Sequence, residues 1–149
     1  MNREDVTELH YIVSIAHLES IMQRGILSKV RAKRYVQVSV ANPEIQQRRA
    51  ERDIPGGLQL DKYANLFFNA RNAMLFEVTH PPVAVPAEEL AVLRVHHSVL
   101  DRSGVVVTDI NAAAGIRPRW HPVLKGLAVL DKGELFAEYW TGSDPSLAG

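Results

Sequence analysis

Two hydrophobic periods alternate along the chain. Leu9-His10-Tyr11-Ile12-Val13 is dense in β-branched and aromatic residues, the composition of a short strand. Ser14 then caps a helix whose apolar positions Ile15, Leu18, Ile21 and Met22 fall at helical spacing, and Gly25 closes it. From Tyr35 to Val40 the alternation of Tyr35/Gln37/Ser39 with Val36/Val38/Val40 predicts a half-buried strand. Asn42-Pro43-Glu44 opens a second helix with a cap residue, a proline at the first helical position and an acid near the positive dipole end. That helix runs through Ile45–Arg52 and stops near Ile54-Pro55-Gly56-Gly57. Tyr63–Asn69 and Ala73–Val78 read as strands paired antiparallel about the turn Ala70-Arg71-Asn72. Pro81–Pro86 is a loop, and Leu90–Val95 and Gly104–Val107 are further strands. Asp109-Ile110-Asn111 leads into the small-residue turn Ala112-Ala113-Ala114-Gly115. A last helix starts at Asp131, with Leu135, Phe136, Tyr139 and Trp140 on one face. The sum is an α+β domain with mostly antiparallel pairing.

The helix after Asn42 has faces that can be worked out. Ile45 is its one large apolar residue, so that stripe turns toward the protein body, and Arg49 at i+4 lies on the same stripe. Arg48 and Arg52 share a stripe rotated by about 100° and are expected to face solvent or a ligand. An inward arginine needs an anion or several acceptors, because an unpaired buried charge is costly. Arg49 is therefore a site candidate; the plainer explanation is a structural ion pair with Asp61 or Asp109.

Composition narrows the class. The 149 residues hold 17 Lys+Arg against 17 Asp+Glu, 46% hydrophobic residues and no cysteine, which suits one ordinary globular domain and excludes disulfides, thiol nucleophiles and Cys-bound zinc. No apolar run reaches the 18 or so residues of a membrane span and the first residues lack a signal-peptide core, so a cytoplasmic protein is expected. The zero net charge hides an asymmetry. Between Arg24 and Arg52 eight basic residues face two acidic ones, about +6, which nominates an anionic partner unless it is simply a solvated face. His96 and His97 are adjacent and would face opposite ways on a strand, and no His-Glu-x-x-His is present, so no metal site is expected. P-loop, Gly-x-Gly-x-x-Gly and Gly-x-Ser-x-Gly motifs are also absent from the sequence.

A specific resemblance comes from ordered segments spread over nearly the whole chain. They are Leu9-His10-Tyr11-Ile12 with its helix to Arg24-Gly25-Ile26-Leu27-Ser28, then Ala41–Ala50, Ile54-Pro55-Gly56-Gly57 and Tyr63–Phe76, then Thr108-Asp109-Ile110-Asn111-Ala112-Ala113 and Tyr139-Trp140. In this order they resemble the DarT family of NAD-dependent DNA ADP-ribosyltransferase toxins. The resemblance implies an ADP-ribosyltransferase-like fold, with two small, mostly antiparallel sheets around an NAD cleft and flanking helices. It implies NAD as substrate without a metal, single-stranded DNA as acceptor, and a macrodomain antitoxin that removes the mark.

By the same resemblance the catalytic arginine is Arg49, and the strand residue whose backbone holds the nicotinamide amide falls on or beside Tyr11, within His10, Tyr11 and Ile12. Phe67, Arg71 and Met74 match positions lining the NAD pocket. Arg48, Arg52 and Asn111 are expected at the DNA, Asn111 in the matching Thr-Asp-x-Asn segment. Cleavage of the nicotinamide bond develops oxocarbenium character on ribose and calls for a carboxylate, while an arginine beside the base stabilises the charge left as the ring loses its proton.

The family's catalytic glutamate stands about 15 to 20 residues beyond its Tyr-Trp pair, whereas this sequence stops at Gly149; Glu134 and Glu138 precede Trp140 and do not match it. The expectation is a single ADP-ribosyltransferase-like domain over residues 1–149 that lacks its C-terminal strands and is inactive as it stands. A truncated form is the simplest account, ahead of a degenerate relative and a split enzyme. Two other functions compete with a DNA-modifying enzyme. One is a non-catalytic module that holds NAD or nucleic acid; binding without nicotinamide release would identify it. The other is an RNA- or protein-directed transferase on the same fold, which competition between DNA and RNA oligonucleotides would identify.

Overall fold

The computed structural model describes residues 1–35 and 43–137. Strand β1 (Glu8–Ser14) pairs antiparallel with β2 (Leu90–His96), from Glu8 opposite His96 to Ser14 opposite Leu90. A second antiparallel pair joins β3 (Val106–Thr108) to β4 (Trp120–Pro122). Helices α1 (Leu18–Arg24), α2 (Lys29–Ala32), α3 (Pro43–Glu51), α4 (Ala73–Thr79), α5 (Val123–Val129) and α6 (Lys132–Leu135) flank these pairs. The expected α+β architecture with two small antiparallel sheets is therefore what the chain forms.

The main core gathers Val6, Leu9, Leu100, Val107, Leu127 and Leu130, with Leu66, Phe68, Val95, Val123 and Leu135 packed on it. Leu9 comes from β1 and Val107 from β3, so this cluster draws on both sheets. Helix α5 can approach β3 closely because it carries Gly126, where an added Cβ would overlap the Val107 side chain. Buried residues outside that cluster include Ile12, Ile54, Leu60 and Val78.

Local signals held well at several ends. Ser14 Oγ accepts the Ala16 N–H at 3.3 Å, and Gly25, at φ +78°, ends α1. Ser28 Oγ accepts the Arg31 N–H at 3.4 Å and so starts α2, a helix that periodicity did not predict. Met22 is not on the buried stripe of α1; it is 85% exposed.

The largest correction concerns residues 63–78. Ala73–Thr79 is helix α4, not a strand, and no hairpin forms with Tyr63–Asn69. Buried Asn72 decides this: its Oδ1 accepts the N–H groups of Met74 and Leu75 at 2.9 and 3.2 Å, a strong N-cap. Of Tyr63–Asn69, only Phe67 makes a strand contact, a bridge to His10. The strand expected at Gly104–Val107 begins later, at Val106, because Gly104 turns the chain at φ +79°. His96 and His97 do not point apart: a 3-10 turn starts at His97, and the two rings lie 4.2 Å apart. The helix at Asp131 is short; Asp131 caps it through the Glu134 N–H, Leu135 joins the core and Phe136 stays 42% exposed. The strand expected over Tyr35–Val40, the Asn42 cap, and Glu138, Tyr139 and Trp140 lie outside the described residues, Tyr35 itself excepted.

Candidate active site

The site is built around α3 and the turns that follow it. Ile54-Pro55-Gly56-Gly57 closes with the Gly57 N–H donating to the Ile54 carbonyl at 2.9 Å, and Gly56 supplies the positive φ that such a turn needs. The chain returns through the 3-10 turn Leu60–Lys62, which packs on α3. Tyr63 then links the two. Its hydroxyl accepts the Leu58 N–H at 3.2 Å, and its carbonyl accepts Nη2 of Arg49 at 3.3 Å.

Arg49 is half-buried, as its place on the Ile45 stripe predicts. Its Nε is buried with no hydrogen-bond partner. Burial disfavours its charge, opposed by the nearby Tyr11 phenol and Asp61 carboxylate. The phenol of Tyr11 is itself pushed up by burial, partly offset by Arg49. Neither expected ion pair forms among the described residues. Asp109 is taken by Arg119, at 2.6 Å, and Asp61 has a buried Oδ1 without a hydrogen-bond partner and no cation within 4 Å. A desolvated guanidinium with a spare donor is costly unless a ligand uses it.

Strand β1 supplies the second part. His10 exchanges both backbone hydrogen bonds with Phe67, at 2.7 and 2.9 Å. In an antiparallel ladder the backbone groups of successive residues point to opposite edges. Leu9, Tyr11 and Val13 therefore bond toward β2, while the N–H and C=O of Ile12 face the same edge as Phe67 and have no backbone partner among the described residues. One donor and one acceptor on a single residue is what a primary amide needs. Of His10, Tyr11 and Ile12, it is Ile12 that has both backbone groups without a backbone partner among the described residues. The His10 side chain lies on the opposite face of the strand from Tyr11, and its Nε2 is 3.1 Å from Oε1 of Glu8. Glu8 also holds Arg94 at 2.6 Å.

The remaining expected pocket residues sit around the start of α4. Asn72 Nδ2 donates to the carbonyls of Asn69 and Ala70, and Asn69 Nδ2 donates to the Leu135 carbonyl at 3.1 Å. This network fixes Arg71 as an exposed residue just before the helix and Met74 as half-buried in its first turn. Phe67 is half-buried on the edge of β1.

Arg48, Arg52 and Asn111 do come together. Arg52 Nη1 donates to the Ala112 carbonyl at 2.7 Å, so it ties α3 to the 109–115 turn. Arg48 reaches along the same turn, with Nη1 3.9 Å from where a Cβ on Gly115 would lie, and it pairs loosely with Glu44 at 3.8 Å. Asn111 Oδ1 accepts the Ala113 N–H at 3.0 Å, which commits that oxygen to shaping the turn. Lys29, Asp61 and Tyr63 also belong to the Arg49 neighbourhood; the sequence pointed to Asp61 only as an ion-pair partner, a pair that does not form. Backbone carbonyls such as that of Tyr63 leave no signal in side-chain identity.

The fold is that of an ADP-ribosyltransferase-like domain. It aligns with the solved structure of Thermosipho africanus DarTG in complex with ADP-ribose at a TM-score of 0.76 and 26% identity, over 94% of this chain and 37% of the other. It also aligns with Thermus sp. 2.9 DarT in complex with ADP-ribosylated ssDNA, at a TM-score of 0.78 and 25% identity, over 99% and 73%. Residues 10–147 match the model of the family described as "ssDNA thymidine ADP-ribosyltransferase, DarT", and the chain belongs to that family. A curated relative, a DNA ADP-ribosyl transferase-DNA ADP-ribosyl glycohydrolase fusion protein from Thermosipho africanus (strain H17ap60334), is 31% identical over 109 residues. That match takes in 72% of this chain and 28% of the relative's length. Among the described residues, no helix is long and apolar enough to cross a membrane.

Proposed function

We propose that this chain is the NAD- and DNA-binding unit of a toxin-type transferase that moves ADP-ribose from NAD onto thymidine in single-stranded DNA. The observation that carries this reading is the family match over residues 10–147, together with a desolvated, unpaired Arg49 inside the matched region. Residues 1–149 work as a single ADP-ribosyltransferase-like unit, placed in the cytoplasm, where NAD and DNA are both available. The relative fused to a DNA ADP-ribosyl glycohydrolase supports a macrodomain antitoxin as the partner.

The residues divide the chemistry. Ile12 offers its N–H and C=O to the nicotinamide carboxamide, and the half-buried Phe67, Tyr11 and Met74 give apolar surface near it. The bond between ribose C1 and the nicotinamide nitrogen breaks, its electron pair leaves with nicotinamide, and a base nitrogen attacks the same carbon. A thymine in DNA has one ring N–H, because its other ring nitrogen carries the sugar. Arg49, positioned by the Tyr63 carbonyl, stabilises the negative charge that appears as this proton leaves. Arg48, Arg52 and the Asn111 turn form the wall nearest the acceptor strand. Single-stranded substrate needs no base flipping. Glu134 is exposed on α6, and its charge is not among those acting on Arg49, so the carboxylate that faces the oxocarbenium is not assigned to it.

The test is calorimetric titration with NAD, followed by incubation with a thymidine-containing oligonucleotide and mass analysis of the DNA. Micromolar NAD binding that Arg49→Ala weakens, with a mass gain on DNA and none on RNA, supports the reading in full. Binding of both ligands without nicotinamide release assigns a binding module instead. A folded chain that binds neither ligand sinks both readings.

A further inference from the structure

Several described cations sit against a carboxylate. Arg3 pairs with Asp101, Arg94 with Glu8, Arg119 with Asp109 and Lys132 with Asp5, all within about 3.1 Å. The segment from Arg24 to Arg34 differs. It holds Arg24, Lys29, Arg31, Lys33 and Arg34, and no acidic residue lies between Glu19 and Glu44. None of the five takes part in an ion pair in the structure among the described residues. Arg31, Lys33 and Arg34 are exposed on α2 and just after it, and Lys29 is half-buried beneath them. Helix α2 rests on the Leu60–Lys62 turn, which also supports α3. Through that packing the segment is continuous with the candidate active site. Burial first, then the charges of Lys33 and Arg49, hold the Lys29 ammonium below its ordinary value, while Asp61 supports it. At the outer end the Arg24 guanidinium lies 4.4 Å over the Tyr35 ring, and Tyr35 remains 48% exposed.

We propose that α2 and its flanks are a phosphate track that carries the backbone of single-stranded DNA away from Arg49, with the Tyr35 ring as a stacking platform at its end. The inference rests on the reading of the chain as a single-strand DNA transferase. Five uncompensated cations exceed the two negative charges of the NAD pyrophosphate, so the track suits a polyanion better than the dinucleotide. An exposed ring beside cations is the combination by which proteins hold unpaired strands without reading their sequence. Arg48, Arg52 and Asn111 lie on a different part of the surface, so the track extends the acceptor site and does not restate it.

The experiment measures binding of a fluorescent twelve-thymidine strand by anisotropy across a salt series. It compares the wild-type chain with the triple variant Arg31→Ala, Lys33→Ala, Arg34→Ala and with Tyr35→Ala, each checked for folding by circular dichroism. Each lost phosphate contact on a single strand lowers the slope of log K against log salt by about 0.7, so the triple variant should lose about 2 units of slope and bind about a hundredfold more weakly near 0.1 M salt. Tyr35→Ala should weaken binding with its slope unchanged, and NAD affinity should stay the same in both variants. An unchanged slope in the triple variant, with wild type binding DNA, overturns the track and leaves the transferase reading standing. Weaker NAD binding in place of weaker DNA binding also overturns it, by assigning these cations to the pyrophosphate. A wild-type chain that binds NAD but no DNA at low salt overturns both.

Discussion

At the scale of single residues, Arg49 sets function against stability. Its guanidinium is desolvated, keeps a buried donor unsatisfied and has no ion pair. Arg49→Ala should therefore leave the fold within about 1 kcal/mol of wild-type stability, while NAD binding weakens tenfold or more. Denaturant titration beside calorimetric titration with NAD tests this; a loss of several kcal/mol would make the arginine structural. Asp109 behaves in the opposite sense. Its bonds to the Arg119 side chain and N–H hold its carboxyl below the ordinary value of 3.8. A depressed folded pKa contributes stability that is present above the unfolded value and lost as pH falls through the folded one. The 109–119 turn should thus stay formed at neutral pH and loosen only in acid. In Arg119→Ala the Asp109 carboxyl should titrate at a higher pH, visible by NMR; an unmoved titration would show that the pair is not what holds it.

At the scale of elements, Gly126 fixes how near α5 lies to β3. A methyl group there meets Val107 and His121, so Gly126→Ala should cost about 1 to 3 kcal/mol, read as a lower denaturant midpoint with an unchanged slope. A neutral result would mean that the two elements can separate freely. The elements that were legible in the sequence are those whose ends carry side-chain signals. Ser14 and Gly25 bracket the first helical segment, Pro43 and Glu44 mark the start of α3, and the strands expected at Leu9–Val13 and Leu90–Val95 form as β1 and β2. Arg49 was legible because a single apolar residue, Ile45, fixes the phase of its helix. Residues 73–78 were misread because a short apolar run has no period of its own, and Asn72, the deciding cap, looked like part of a turn. The tie from Arg52 was not legible, because its partner is a backbone carbonyl sixty residues away, which no local pattern encodes.

At the scale of the whole molecule, the open edge of β1, the Arg49 cluster and the α4 cap come from distant parts of the chain, so a ligand that spans them should stabilise the fold as a whole. NAD at about a hundred times its dissociation constant adds about 2.7 kcal/mol, which for a chain of this length is a rise of about 5 to 10 °C in melting temperature. Differential scanning fluorimetry should show that rise in wild type and a smaller one in Arg49→Ala. An equal rise in both would place the dinucleotide away from α3.

The tie from Arg52 to Ala112 gives α3 a mechanical meaning. One short rod holds Arg49 against the Tyr63 carbonyl and Arg48 and Arg52 toward the turn at 111–115, and the tie fixes its rotation. The angle between the two is set by helical pitch, about 100° per residue, and not by any loop that could adapt. Length changes inside this helix are therefore far more harmful than substitutions. A single residue inserted between Ile45 and Arg48 would rotate all three arginines together by about 100°, carrying Arg48 and Arg52 toward the direction that Arg49 now takes and swinging Arg49 away from the Tyr63 carbonyl.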